Sequence, residues 1–221
     1  MPADILLITG TDTEVGKTFV GAALCRALQQ AGRSVLAIKP VESGTDLGGP
    51  EDGQLLAEAT GQAAPSAALV RLGPPIAPPV AADEEGVVLD SEAWLRFIRE
   101  ASQHHELVVV EGAGGLLSPL TWQSTALDLA VALDATVLVV AHDRLGAMNQ
   151  SRLVIHCLRQ AGCKLAGLIL NGAPGSDEVT GSNSAALRRL EPETPVLSLP
   201  PMEHWHEAVP LLSPVMNWLK R

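Results

Sequence analysis

Gly10-Thr11-Asp12-Thr13-Glu14-Val15-Gly16-Lys17-Thr18 is the stretch that decides the fold. It has the form G-x-x-x-x-G-K-[ST], and its flanks suit that form. Before it, Ile5-Leu6-Leu7-Ile8 is a short apolar run ending at Thr9-Gly10, which reads as a strand buried on both faces. After it, Phe19, Val20, Ala23, Leu24, Ala27 and Leu28 recur at helical spacing from about Lys17 to Ala31, and Gly32 stops the helix. A strand, a glycine-bounded loop and a helix in that order make a cradle for phosphate. The glycines let backbone N–H groups turn inward, and the helix N-terminus adds partial positive charge. Lys17 reaches the β- and γ-phosphates as a point charge, and the Thr18 hydroxyl offers an oxygen to Mg²⁺. The sequence therefore predicts a site for ATP with Mg²⁺.

Outward from the loop, strands and helices alternate. Ser34 to Ile38 reads as a strand, Gln54 to Thr60 as a helix, and Leu107-Val108-Val109-Val110 as a buried strand. Further strands are expected at Thr136–Ala141, Leu165–Leu170 and Pro195–Leu199, with helices between them. Ser91 opens a helix through Trp94, Leu95 and Ile98, with Glu92 in its first turn. Residues from about Val41 to Gly53 read as a loop. Pro65 to Gly86 carries Pro74, Pro75, Pro78 and Pro79 and is not expected to form a regular element. The expected class is α/β: a three-layer, mainly parallel sheet with helices on both faces, in P-loop NTPase architecture. The length of 221 residues suits one ATP-binding domain over 1–221.

Composition narrows the function classes. A formal charge of −10 argues against a nucleic-acid or membrane-surface partner, both of which reward basic patches. Three cysteines, Cys25, Cys157 and Cys163, give neither a zinc spacing nor a disulfide framework, and Cys25 falls in the apolar pattern of the first helix. The N-terminus lacks a signal-peptide pattern and no apolar run approaches spanning length, so a cytoplasmic location is expected.

Other candidate residues follow strand ends, where ligands bind on such sheets. Glu111 directly follows the strand Leu107–Val110, where a P-loop enzyme keeps an acidic metal ligand. Gly112, Gly114 and Gly115 after it leave the backbone open to close approach. Asp52 and Asp46 compete as a second carboxylate, with a solvated loop acid as the alternative for each. Lys39, in Lys39-Pro40-Val41-Glu42-Ser43-Gly44, leaves the sheet on the same edge as the phosphate loop. It is either a second cation for a transferring γ-phosphoryl group or a solvated lysine.

Taken together, Gly10–Thr18, Lys39–Gly44, Val110–Gly115 and Leu145-Gly146 with Asn149 resemble one family over most of the chain: dethiobiotin synthetase, the ATP-dependent cyclo-ligase of biotin synthesis. Glu14 before Val-Gly-Lys-Thr separates it from partitioning-type ATPases, which usually carry Lys-Gly-Gly-Val-Gly-Lys-Thr. The resemblance implies 7,8-diaminononanoate as substrate, with CO₂ from bicarbonate captured as a carbamate. ATP then converts the carbamate to a carbamic–phosphoric anhydride, and the ureido ring closes with release of phosphate. It implies Lys39 and Lys17 as catalytic. Thr13 and Ser43 would lie on the substrate. Glu14, Val15, Gly16, Lys17, Thr18, Phe19, Gly112, Ala113 and Gly114 would lie around the nucleotide, and Thr18, Asp52 and Glu111 would hold Mg²⁺. Asn171 and Gly172 with Pro200, Pro201, Met202 and Glu207 would face the base. A homodimer is implied, with Leu145, Gly146 and Asn149 binding the substrate's carboxylate in the neighbouring subunit. One departure stands out: many members have Ser-Pro-His where this chain has Ala77-Pro78-Pro79.

Other classes fit less well. A partitioning-type switch ATPase usually has a membrane-targeting helix, and Met202–Arg221 offers only Lys220 and Arg221 as basic residues. Amide-forming relatives with a glutaminase domain need more chain, and a GTPase needs an Asn-Lys-x-Asp segment that this sequence lacks.

Overall fold

A computed structural model describes residues 4–172 and 182–219; Lys220 and Arg221 lie outside the described residues. In chain order the strands and helices are β1 (Asp4–Gly10), α1 (Lys17–Gln30), β2 (Val35–Ile38), β3 (Val41–Ser43), α2 (Asp52–Thr60), β4 (Val70–Leu72), α3 (Pro78–Glu85), α4 (Ser91–Ala101), β5 (Leu107–Gly115), α5 (Ala126–Ala132), β6 (Thr136–His142), α6 (Ala147–Gln160), β7 (Lys164–Asn171), α7 (Ser182–Leu190), β8 (Val196–Leu199), α8 (Trp205–Ala208) and α9 (Ser213–Trp218). Six strands form one sheet in the order β2-β5-β1-β6-β7-β8, every neighbouring pair parallel. All six point their carboxyl ends to one edge, and the phosphate loop leaves that edge from the middle of the sheet.

Strand alternation divides the core into two layers. Leu7, Val108, Val110, Val137 and Val139 face one side with Trp94, Leu95 and Ile98 of α4. Leu6, Ile8, Val109, Leu138 and Val140 face the other with Val20, Leu24 and Leu28 of α1. The expected three-layer α/β arrangement is therefore present, and it is why these strands read as continuous apolar runs.

Two expectations are corrected. Val41–Ser43 is a strand, not loop, and pairs in parallel with Val70–Leu72. Pro78–Glu85 is a helix inside the segment expected to be irregular. Its prolines occupy the first two helical positions, where a missing N–H costs nothing and the fixed φ favours the helix. Among the described residues, no helix is long and apolar enough to cross a membrane. The end of the chain instead folds back onto α1 and buries Trp205, Leu212 and Val215.

Candidate active site

The phosphate loop begins where β1 ends. Thr11 N–H donates to the Val140 carbonyl at 3.0 Å, which ties the loop to β6. Gly16, with φ of 89°, caps α1, and no side chain caps that helix start. The first-turn amides are thus free to face an anion. Glu14 also has positive φ, 55°, an uncommon conformation for a non-glycine residue and a local strain at the loop's tip. Lys17 is buried and donates to the Asp12 carbonyl at 3.0 Å. Burial, then the Lys39 ammonium, pull its pKa below the usual lysine range.

Sheet order assembles the charged centre. β2 ends at Ile38 opposite Val110, so Lys39 comes beside Glu111, which does not follow the strand as expected but lies inside β5, paired with Ile8 of β1, because β5 continues to Gly115. Lys39 Nζ lies 2.7 Å from Glu111 Oε1 and 2.7 Å from Asp52 Oδ2, and donates to the Gly112 carbonyl at 3.2 Å. Thr18 Oγ1 donates to the same Glu111 oxygen at 2.8 Å. Burial alone would push the Lys39 ammonium down, but Glu111 and Asp52 outweigh it and hold its pKa above the ordinary value. Burial raises the Glu111 carboxyl despite Lys39. Asp52 is pushed up by burial, yet Lys39 prevails and its pKa lies low. Geometry also separates the two competing acids: Asp52 meets Lys39, whereas the exposed Asp46 packs over Gly73.

Three oxygens therefore converge beside the loop, from Thr18, Asp52 and Glu111. Glu111 Oε2 is buried and, among the described residues, has no hydrogen-bond partner. Among the described residues no three His, Cys, Asp or Glu side chains cluster as a metal cage. Two carboxylates and a hydroxyl suit a hard cation that takes its remaining ligands from phosphates and water.

On the base side, Asn171 Nδ2 donates to the Val15 carbonyl at 3.2 Å and lies over Gly16. Gly172 packs on the backbone of Pro200 and Pro201, where a methyl group would come within 3.0 Å of it. Asn171 thus lies against the phosphate loop, and Gly172 beside it packs on Pro200 and Pro201. Met202 and Phe19 pack on the α1-side core. Glu207 is engaged locally: its carboxylate accepts from His204 N–H at 2.8 Å and caps α8.

A cleft of about 490 Å³ opens beside the loop tip. Thr13, Glu14, Ser43, Ala113, Gly114 and Ser118 give it polar and backbone surface, while Leu47, Ile76, Ala77 and Pro78 give it an apolar wall. Leu145, Gly146 and Asn149 do not line it; Leu145 is 75% exposed at the start of α6, and Asn149 faces a separate cleft with Arg152 and Arg159.

The sequence reading passed over Glu42. This buried carboxylate accepts from the N–H groups of Asp52, at 2.5 Å, and Gly53, at 3.1 Å. No local pattern announces such a cap, because donor and acceptor lie about ten residues apart on different elements.

Comparison with known proteins agrees with this geometry. A family model described as an AAA domain matches residues 4–208. The chain is 41% identical over 198 residues to an ATP-dependent dethiobiotin synthetase BioD of Anaeromyxobacter dehalogenans (strain 2CP-C), covering 88% of this chain and 89% of that protein. It is 43% identical over 196 residues to that of Mycobacterium avium (strain 104), covering 87% and 86%. In fold it is similar to the cell division ATPase MinD of Pyrococcus furiosus, with a TM-score of 0.62, 16% identity and coverage of 99% and 100%. At that identity the likeness speaks for architecture alone. The matched length and identity decide the family: the chain belongs to the ATP-dependent dethiobiotin synthetases.

Proposed function

We propose that residues 1–221 act as one domain that converts 7,8-diaminononanoate, CO₂ and ATP to dethiobiotin, ADP and phosphate. The observation that carries the mechanism is the buried cluster of Lys39 with Glu111, Asp52 and Thr18 beside the phosphate loop, whose tip residues Thr13 and Glu14 also line the cleft with Ser43. One amine of the diamine captures CO₂ as a carbamate in that cleft. A carbamate oxygen attacks the γ-phosphorus, the bond to the bridging oxygen breaks, and ADP leaves. The second amine then attacks the carbamate carbon, phosphate departs, and the ureido ring closes. Lys17 and Lys39 neutralise charge on the γ-phosphoryl group, and the unstrapped amides of α1 hold the phosphates. No side-chain nucleophile is needed; positioning and charge do the work. Thr18, Asp52 and Glu111 would hold Mg²⁺, which supplies charge neutralisation to the nucleotide when bound. Asn171, Gly172, Pro200, Pro201 and Met202 would line the base.

We infer a homodimer as well. Leu117 and Leu153 are largely exposed and line a groove of about 340 Å³ with Leu116, Val154 and Cys157. Ser118 belongs to both that groove and the substrate cleft, so a second subunit seated there reaches the cleft. Its Leu145-Gly146-Asn149 segment, at the start of α6, would take the substrate's carboxylate. A cytoplasmic location fits a reaction that draws on ATP and bicarbonate.

The test is phosphate release with ATP, Mg²⁺, bicarbonate and 7,8-diaminononanoate. Release should depend on the diamine. Equal release without it would replace this reading with a partitioning-type switch ATPase.

A further inference from the structure

Asp52 sits at the first position of α2, and something must hold that helix start in place. Its own N-cap residue does not: Glu51 makes no side-chain cap. The Glu51 carboxylate turns instead to Arg71 of β4, whose Nε lies 2.6 Å away. The cap comes from outside the helix. Glu42, on β3, accepts from the N–H of Asp52 with one oxygen and from that of Gly53 with the other. Glu42 and Arg71 face each other in the β3–β4 pairing. The two-stranded ribbon therefore grips the entry to α2 twice, with a carboxylate on its amides and a guanidinium on its N-cap acid.

The grip is tight enough to matter. Glu42 is 8% exposed, so its carboxylate has little water to turn to if the amides move away. A methyl group on Gly53 would overlap the backbone of Ala67 and Ala68, so the first turn already lies flush against the chain behind it. Asp52 is thus held by its own backbone, and its carboxylate reaches Lys39 at 2.7 Å as a consequence. Bringing a third acid beside Asp52 costs electrostatic energy. A neutral Ser or Asn at the N-cap would accept from the second or third amide of the helix without that cost, but it would leave the N–H of Asp52 itself unheld. The arrangement makes sense if the direction of Asp52, more than the stability of α2, is what it serves.

We propose that Glu42 is a positioning residue for the metal–nucleotide site: it fixes the first turn of α2 so that the Asp52 carboxylate points at Lys39 and the shell shared with Thr18 and Glu111. The proposal rests on the reading of Asp52 as a metal ligand. It makes Glu42 an outer partner of that ligand, and removal of such partners typically weakens metal binding 10–100-fold.

The experiment uses the full chain with saturating ADP and follows Mn²⁺ binding by electron paramagnetic resonance, a readout that involves neither the diamine nor turnover. Glu42→Ala should weaken Mn²⁺ binding roughly tenfold. Glu42→Gln keeps the length and one acceptor, so it should fall between that variant and the parent; it carries the test if Glu42→Ala does not fold. In an Asp52→Asn background, the Glu42 changes should add no further loss, because the ligand they aim is gone. Unchanged Mn²⁺ binding in both Glu42 variants overturns the proposal. So does an equal fold-loss in both backgrounds, which is what a general loosening of α2 would give. If Asp52→Asn itself leaves Mn²⁺ binding unchanged, the metal assignment of Asp52 fails and takes the proposal with it. If Asp52→Asn weakens binding while Glu42 does not matter, only the positioning role falls.

Discussion

Lys39 Nζ and Glu111 Oε1 lie 2.7 Å apart with side chains 2% and 0% exposed, so the ammonium is the counter-charge of a carboxylate that water cannot reach. Thr18 and Asp52 close around the same pair. The cation proposed to meet the γ-phosphate is thus also the counter-charge that opposes the effect of burial on the proposed metal-side acid. The two roles predict two separable effects of one change.

Lys39→Ala should lower kcat by at least about 100-fold, the scale on which a transition-state charge donor acts, with a smaller change in the KM for ATP. It should also destabilise the chain by roughly 3 kcal/mol, because it strands a buried carboxylate. Burial already raises the Glu111 pKa, and losing Lys39 raises it further. The variant's Glu111 therefore escapes part of the penalty by taking up a proton. The destabilisation should be larger at pH 9 than at pH 6 in denaturant melts without nucleotide. Full turnover in Lys39→Ala would remove the lysine from the reaction.

Cys25 offers a pH test that does not touch the chemistry. Burial in α1, and secondarily the Glu111 charge, push its thiol up to about 12 from 9.0. Between those values the unfolded thiol loses its proton while the folded one keeps it. The folded state then binds more protons, so stability falls as pH rises. This residue alone should contribute a decline of about 1.4 kcal/mol per pH unit above 9. Chemical denaturation of the parent and of Cys25→Ala from pH 8 to 11 isolates it as a difference in slope, independent of any packing loss. Parallel curves would show that the thiol ionises in place.

How much of this was legible beforehand depended on whether partners were local. Gly10–Thr18 carries strand, loop and helix in sequence, so the cradle could be read directly. Lys39 could be placed at a strand end; Glu111 was expected at one too, although the glycines after it hid the run of β5 to Gly115, and their contact depends on β2 lying next to β5, which leaves no mark on either segment. That is why a solvated lysine stood as an equal reading. The residues alone left Asp46 level with Asp52, and only the family resemblance put Asp52 ahead; the contact of Asp52 with Lys39 is between separate elements and leaves no local pattern. The missed elements have different causes. β3 and β4 are three residues each, too short to show alternation. Helix α3 was hidden by Pro78 and Pro79, which break a helix in its middle but suit its first turn. Glu42 was hidden because it caps a helix from another element.

Gly16 joins the loop to the base side, and its substitution should be severe for a stated reason. At φ of 89° an alanine pays roughly 1–2 kcal/mol in backbone strain. Its methyl group would also overlap the Asn171 amide, an overpacking cost of about 1–3 kcal/mol. Gly16→Ala should therefore weaken ADP binding by roughly 100-fold in calorimetry. Adding Asn171→Ala removes the overlap but not the strain, so the double variant should recover thermal stability relative to Gly16→Ala, while its ADP affinity also loses the proposed base contact. A double variant weaker than Gly16→Ala would mean that Asn171 is a nucleotide contact of greater weight than its bond to Val15.

Ala77 tests the departure from the Ser-Pro-His pattern. It is the N-cap of α3 and makes no side-chain cap, while its residue also lines the substrate cleft. A serine at an N-cap usually adds about 1 kcal/mol of stability. Here the gain should be smaller. Pro78 and Pro79 have no N–H groups to satisfy, and the amides of Val80 and Ala81 already donate to the Ala77 carbonyl at 2.9 and 3.0 Å. The new hydroxyl is therefore left to face the cleft. Ala77→Ser should shift Tm by less than about 2 °C. If its hydroxyl meets the diamine or carbamate, one hydrogen bond of about 1 kcal/mol should lower the KM for 7,8-diaminononanoate by roughly fivefold. Steady-state kinetics beside a thermal melt separates the two roles. A rise in Tm of several degrees with unchanged KM would make the serine of other members a helix cap and nothing more.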